Sequence, residues 1–125
     1  MKIRIKGNSL RYRLTRSEVE QLASAGYIEE KINFGNRSLY YALQRTDKKE
    51  LSASFDDNKI IFYLPSALAE NWAENDITGF ENSIQLNELG EKLFLLVEKD
   101  FTCLDKVDED QSDNYPNPLL KNIYE

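Results

Sequence analysis

One pattern, met twice, constrains this chain more than any other feature. Residues 2–14, "KIRIKGNSLRYRL", alternate charged and apolar side chains on both sides of Lys6-Gly7-Asn8-Ser9. That alternation predicts two strands joined by a tight turn, because Gly and Asn tolerate the positive φ such turns demand. "TRSEVEQLASAG" then predicts a helix. Thr15 and Glu18 have the spacing of a capping box, Val19, Leu22 and Ala23 share a face, and Gly26 suits the stop. "YIEEKINF", a Gly35-Asn36 turn and "SLYYALQR" complete a ββαββ unit.

The order then recurs. "LSASF", the turn "DDNK" and "IIFYL" read as a second hairpin, and "PSALAENWAEN" as a short helix with Pro65 at its first position. "TGFENSIQL" and "KLFLLVEKDF" read as two further strands split by "NELGE". A shift of 50 residues sets Asn8 on Asn58, Leu10, Tyr12 and Leu14 on Ile60, Phe62 and Leu64, and Leu22 on Trp72. The last strands align at a shift of 54, Leu39–Leu43 on Leu93–Val97. Only Asn8, Leu14, Glu20 and Ala23 are identical across residues 1–34 and their partners, so the agreement lies in element order and apolar phase.

With 125 residues, 41% of them hydrophobic, one domain is expected. Its segments are a first ββαββ unit at 1–49, a second at 50–101, and an acidic extension at 102–125. No apolar run approaches the roughly 20 residues of a membrane-spanning helix, and no secretory leader is expected. Cys103 is the only cysteine, which points to a reducing cytoplasmic setting. With no histidine to activate it, it reads as a packed thiol rather than a nucleophile. The chain has no histidine, so the commonest general base and zinc ligand are missing. A non-enzymatic protein without a cofactor is the expectation. An enzyme built on carboxylates that the sequence does not identify is kept as an alternative.

Charge is divided sharply along the chain. Residues 1–49 carry a net +6 and residues 50–125 a net −12. Alternation places Lys2, Arg4 and Lys6 on one face of the first strand, and Arg11 and Arg13 on one face of the second. Paired in register, these five cations form a basic ribbon suited to DNA or to an acidic protein segment, at a cost in cross-strand repulsion. The opposite pole is the tail, where Asp105, Asp108, Glu109, Asp110 and Asp113 crowd together. Alternating Asp oxygens can hold Ca²⁺, but the central Gly and closing Glu of an EF-hand loop are missing, so no metal is expected. Docking of this tail on the ribbon of the same chain is the competing use of the charge. "YPNP" is a stiff extended segment, and Leu119, Leu120, Ile123 and Tyr124 offer a final apolar patch.

Lys6, Gly7, Asn8, Ser9, Arg13 and Leu14, followed by a capped helix and a second hairpin, resemble the swapped-hairpin subunit of AbrB/MazE-type antitoxins and transition-state regulators. Leu64-Pro65 carries the same resemblance in the second unit. It implies obligate dimers whose hairpins interleave into one barrel, and a nucleic-acid-binding regulator as an alternative function. A single chain with two such units would be its own pseudo-dimer. The fold expected is therefore α+β: tandem ββαββ repeats in a small, mostly antiparallel, barrel-like pseudo-dimer with two short helices and an acidic tail. The second unit departs from the family pattern, offering Ser52, Ser54, Asp56, Ile61 and Tyr63 opposite Lys2, Arg4, Lys6, Arg11 and Arg13. Symmetric operator binding is disfavoured on that ground. The whole chain also resembles an uncharacterised bacterial family of short proteins, through its "KIRIKGNS" start, "EKDF.CL" and the acidic "EDQSD.YPNP" segment.

Overall fold

The computed structural model describes residues 1–101 and 112–116. Strands β1 (Lys2–Lys6) and β2 (Ser9–Leu14) lead into α1 (Arg16–Ala25), then β3 (Tyr27–Asn33) and β4 (Ser38–Thr46). Strands β5 (Ser52–Asp56) and β6 (Lys59–Pro65), helix α2 (Ser66–Ala69), a 3-10 turn at Trp72–Glu74, and strands β7 (Gly79–Gln85) and β8 (Lys92–Lys99) follow. The local signals act as their chemistry requires. Glu18 closes the capping box by accepting the Thr15 amide at 2.9 Å. Gly26, at φ 79°, ends α1 with its amide on the Leu22 carbonyl. Gly7 takes φ 56° in the first turn, and Asp57 and Asn58 take φ 49° and 63° in its counterpart.

One expectation is corrected in each of two places. The second helix is not continuous: it breaks into α2 and the 3-10 turn, and Pro65 ends β6 rather than opening the helix. Nor do the strands close into a barrel. They form two four-stranded sheets, ordered β1-β2-β8-β7 and β3-β4-β6-β5. Among the described residues no ladder joins an edge strand of one sheet to the other, so the sheets meet through their apolar faces.

The pairing is mostly antiparallel within hairpins, and parallel where hairpins join. β2 runs parallel to β8, Ser9 beside Phe94 through Leu14 beside Lys99. β4 runs parallel to β6, Tyr40 beside Lys59 through Thr46 beside Pro65. Each sheet thus takes one hairpin from residues 1–46 and one from residues 52–99. Alternation sends Leu10, Tyr12, Leu14, Phe62, Leu64, Leu95 and Val97 into one shared core with Val19, Leu22 and Trp72 from the helical segments. Tyr12 and Phe62 touch across the sheets, ring centroids 5.1 Å apart. Trp72 is fully buried, as its place on an apolar face predicts, and donates its indole N–H to the Ile77 carbonyl at 2.8 Å. The same alternation turns the basic residues of β1 and β2 outward.

Candidate anion-binding face

In the β1–β2 ladder Lys2 lies opposite Arg13 and Arg4 opposite Arg11, with Lys6 opposite Ser9. Leu10, Tyr12 and Leu14 are buried, so the intervening cations share the outer face of the sheet. All five residues expected in the ribbon are brought together. Like charges set directly opposite each other repel, and the ladder imposes that geometry twice.

The relief comes from β8, the parallel neighbour of β2. Glu98 sits beside Arg13 in the register. Its Oε1 accepts from Arg13 Nε at 2.8 Å and lies 3.8 Å from Arg11 Nε. Beyond the end of β8, Asp100 places Oδ2 3.2 Å from Lys2 Nζ. Asp100 is itself nearly buried, its amide held by the Leu14 carbonyl at 2.8 Å. Arg4 and Lys6 form no ion pair among the described residues and are exposed. The ribbon is therefore graded: compensated by carboxylates at the Lys2–Arg13 end, and uncompensated towards the Gly7 turn.

At that uncompensated end the surface is concave. Arg4, Lys6, Ser9, Leu10, Arg11 and Phe94 line a shallow cleft of about 170 Å³. Phe94 lies beside Ser9 across the parallel ladder, an exposed aromatic ring among cations. Asn8 ties the two strands at the rim, donating from Nδ2 to the Lys92 carbonyl at 2.7 Å and accepting the Phe94 amide at 3.1 Å.

The outer face of the second sheet is different. Tyr27, Tyr40 and Lys59 share it with Glu29. Lys59 Nζ lies 2.6 Å from Glu29 Oε1 and 3.2 Å from the Tyr27 hydroxyl, over both tyrosine rings. The Lys59 hydrogen bond, followed by that from Tyr27, holds the Glu29 carboxyl below its ordinary range. This cation is consumed by its own sheet.

Asp113 is the one tail carboxylate within the described residues, and it engages α1 rather than the ribbon. Its Oδ2 accepts from the Ser17 hydroxyl at 2.6 Å, its Oδ1 from the Ser17 amide at 3.3 Å, and its carbonyl from the Arg16 amide at 3.0 Å. Two residues on, Tyr115 is buried, its ring under Lys99 Nζ at 4.8 Å and Arg16 at 5.4 Å. Cys103, Asp105, Asp108, Glu109, Asp110, Leu119, Leu120, Ile123 and Tyr124 lie outside the described residues, and so does the Ca²⁺ question for that run. Among the described residues no three carboxylate or thiol side chains converge as a metal site, and no helix is long and apolar enough to cross a membrane.

Sequence reasoning missed the carboxylates and the ring that β8 brings to the ribbon. The signal lay in "LFLLVEKD", whose alternation puts Phe94, Leu96 and Glu98 on one face, but only the parallel pairing with β2 makes that face the basic one.

The model of a family of unknown function (DUF7009) matches residues 1–119. The chain belongs to that family. DUF7009 membership thus covers both hairpin sets, the basic face and the Asp113–Tyr115 anchor, and it assigns none of them a role. No curated protein and no solved structure matches the chain.

Proposed function

We propose that this DUF7009 chain is a non-enzymatic binding module, built as a fused pseudo-dimer, whose working surface is the outer face of β1-β2-β8-β7. The observation that carries the reading is charge placement: one sheet gathers Lys2, Arg4, Lys6, Arg11 and Arg13 outward, while the other has Ser52, Ser54, Asp56, Ile61 and Tyr63 at the shifted positions. A face of that kind attracts an anionic partner, and among the described residues Arg4 and Lys6 have no counter-charge, which keeps part of it available.

The duplicated architecture draws support from contacts that repeat. The shift of 50 carries Ser9 onto Lys59, the shift of 54 carries Tyr40 onto Phe94, and both pairs occur in the parallel ladders. Asn58 accepts the Tyr40 amide at 2.9 Å as Asn8 accepts that of Phe94. Exchange of hairpins between halves is also what the likeness to AbrB/MazE-type dimers would require. The asymmetry of the two faces argues against a two-fold operator contact of the kind those regulators make. The lone cysteine fits a cytoplasmic setting.

The test is a titration of isotope-labelled full chain with heparin, a generic polyanion. Amide shifts concentrated at residues 2–13 and 92–98 support the reading. Shifts spread evenly, or centred on β3–β6, reject it.

A further inference from the structure

The graded ribbon says more than that an anion binds. Residues two apart along a strand stand roughly 7 Å apart on one face. Arg4 and Lys6 therefore form two charge positions in a row on β1, with Arg11 across the ladder from Arg4. Phe94 stands on the far side of Ser9 from Lys6, on the same face. A row of cations beside an exposed ring on an open sheet is the arrangement that recognises a phosphodiester strand with accessible bases: cations follow the phosphates, and a base stacks on the ring whatever its identity. A purely acidic peptide has no use for the ring, and duplex DNA keeps its bases stacked on each other.

We propose that the Arg4–Lys6–Ser9–Arg11–Phe94 cleft binds single-stranded nucleic acid, with phosphates on Arg4, Lys6 and Arg11 and one base on Phe94. This rests on the anionic-partner reading above and narrows it. Ser9 fixes the turn that carries Lys6, its hydroxyl donating to the Lys6 carbonyl at 2.5 Å. The cleft, about 170 Å³, is open, so a strand would rest against it and continue along the sheet.

The experiment is fluorescence anisotropy of the full chain at low salt with four probes: labelled oligothymidylate, a duplex of equal length, an abasic phosphodiester strand and heparin. The single strand is expected to bind more tightly than the duplex, with affinity falling steeply as salt rises. Phe94→Leu keeps the apolar bulk but loses the ring. It should weaken oligothymidylate about 5- to 50-fold, within the range of one stacked base, and leave the abasic strand unchanged. Phe94→Tyr should bind like the parent, and the joint Arg4→Ala and Lys6→Ala variant should weaken both strands. Circular-dichroism melts establish that each variant is folded. Preference for the duplex, or equal loss on abasic and base-bearing strands in Phe94→Leu, overturns the proposal. Heparin binding without oligonucleotide binding overturns it while sparing the anionic-partner reading. Failure of all four probes removes both.

Discussion

Glu98 accepts the Nε hydrogen of Arg13 at 2.8 Å from the neighbouring parallel strand, although the two lie 85 positions apart in sequence. The same oxygen faces Arg11 at 3.8 Å. One carboxylate thus restrains two of the five cations, and it decides how much of the basic face is open to a partner. Glu98→Gln should free both guanidinium groups. The expected result is tighter heparin binding with a steeper salt slope, and a stability loss of no more than about 1 kcal/mol because the pair is partly exposed. Heparin titration across a salt series, with a urea melt beside it, checks both parts.

Gly79 lies close against the backbone of β8. A Cβ built there would come within 2.4 Å of the Val97 carbonyl and 2.9 Å of the Glu98 backbone. Backbone cannot yield as a flexible side chain can, so Gly79→Ala should force β7 away from β8. A loss of about 1–3 kcal/mol is expected in chemical denaturation, the usual scale of overpacking. Its effect on heparin binding should follow from the displaced Glu98 rather than from any contact of its own.

The two halves share one core, and the Tyr12–Phe62 contact joins them at its centre. Phe62→Ala should cost about 3–5 kcal/mol and unfold both sheets in a single transition. Tyr12→Phe should cost only about 1 kcal/mol, because its hydroxyl reaches the Ile60 carbonyl at a long 3.5 Å and otherwise meets only the Ala42 backbone. Denaturant melts followed by Trp72 fluorescence and by far-ultraviolet circular dichroism, which reports both sheets, compare the two variants. Two separate transitions in Phe62→Ala would contradict a shared core.

The Asp113 anchor carries a pH dependence. Hydrogen bonds from Ser17, and then from Thr15, hold the Asp113 carboxyl below its ordinary range. A carboxylate depressed in the folded state contributes fully above its unfolded pKa, about 3.9, and that contribution is lost as pH falls through the lower folded value. The anchor at α1 should therefore loosen only in strongly acidic solution. The Tyr115 ring resonances, followed by NMR from neutral pH downward, should hold steady until below about pH 4 and then move. Asp113→Asn should remove that step.

Much of the fold was legible in the residues themselves. Strands, turns and the α1 caps follow from alternation, Gly7, Asn58, Thr15 and Gly26, because each signal is local. Leu14, Leu22, Leu64 and Trp72 were also legible as core, because strand alternation and helical spacing put each on an apolar face. Two open sheets in place of a barrel were not legible: whether edges close depends on strand tilt and stagger, which no local pattern encodes. The break after Ala69 was hidden because "SALAENWAEN" is rich in Ala and Glu, while Trp72, in the 3-10 turn, packs on Phe80 of β7. That the five cations share one face was plain from period two. Their partners Glu98, Asp100 and Phe94 were not, because they arrive through a parallel pairing between distant segments.

The central claim is that binding belongs to the outer face of β1-β2-β8-β7 and not to charge in general. The most direct measurement compares heparin affinity of the full chain with that of two variants of equal charge change, Arg4→Glu with Lys6→Glu and Lys48→Glu with Lys49→Glu. Lys48 and Lys49 are exposed between β4 and β5 and belong to neither ribbon strand. The first variant should abolish saturable binding at low salt and the second should leave it within about twofold of the parent. Equal losses in both, or binding that survives reversal of Arg4 and Lys6, would contradict the assignment.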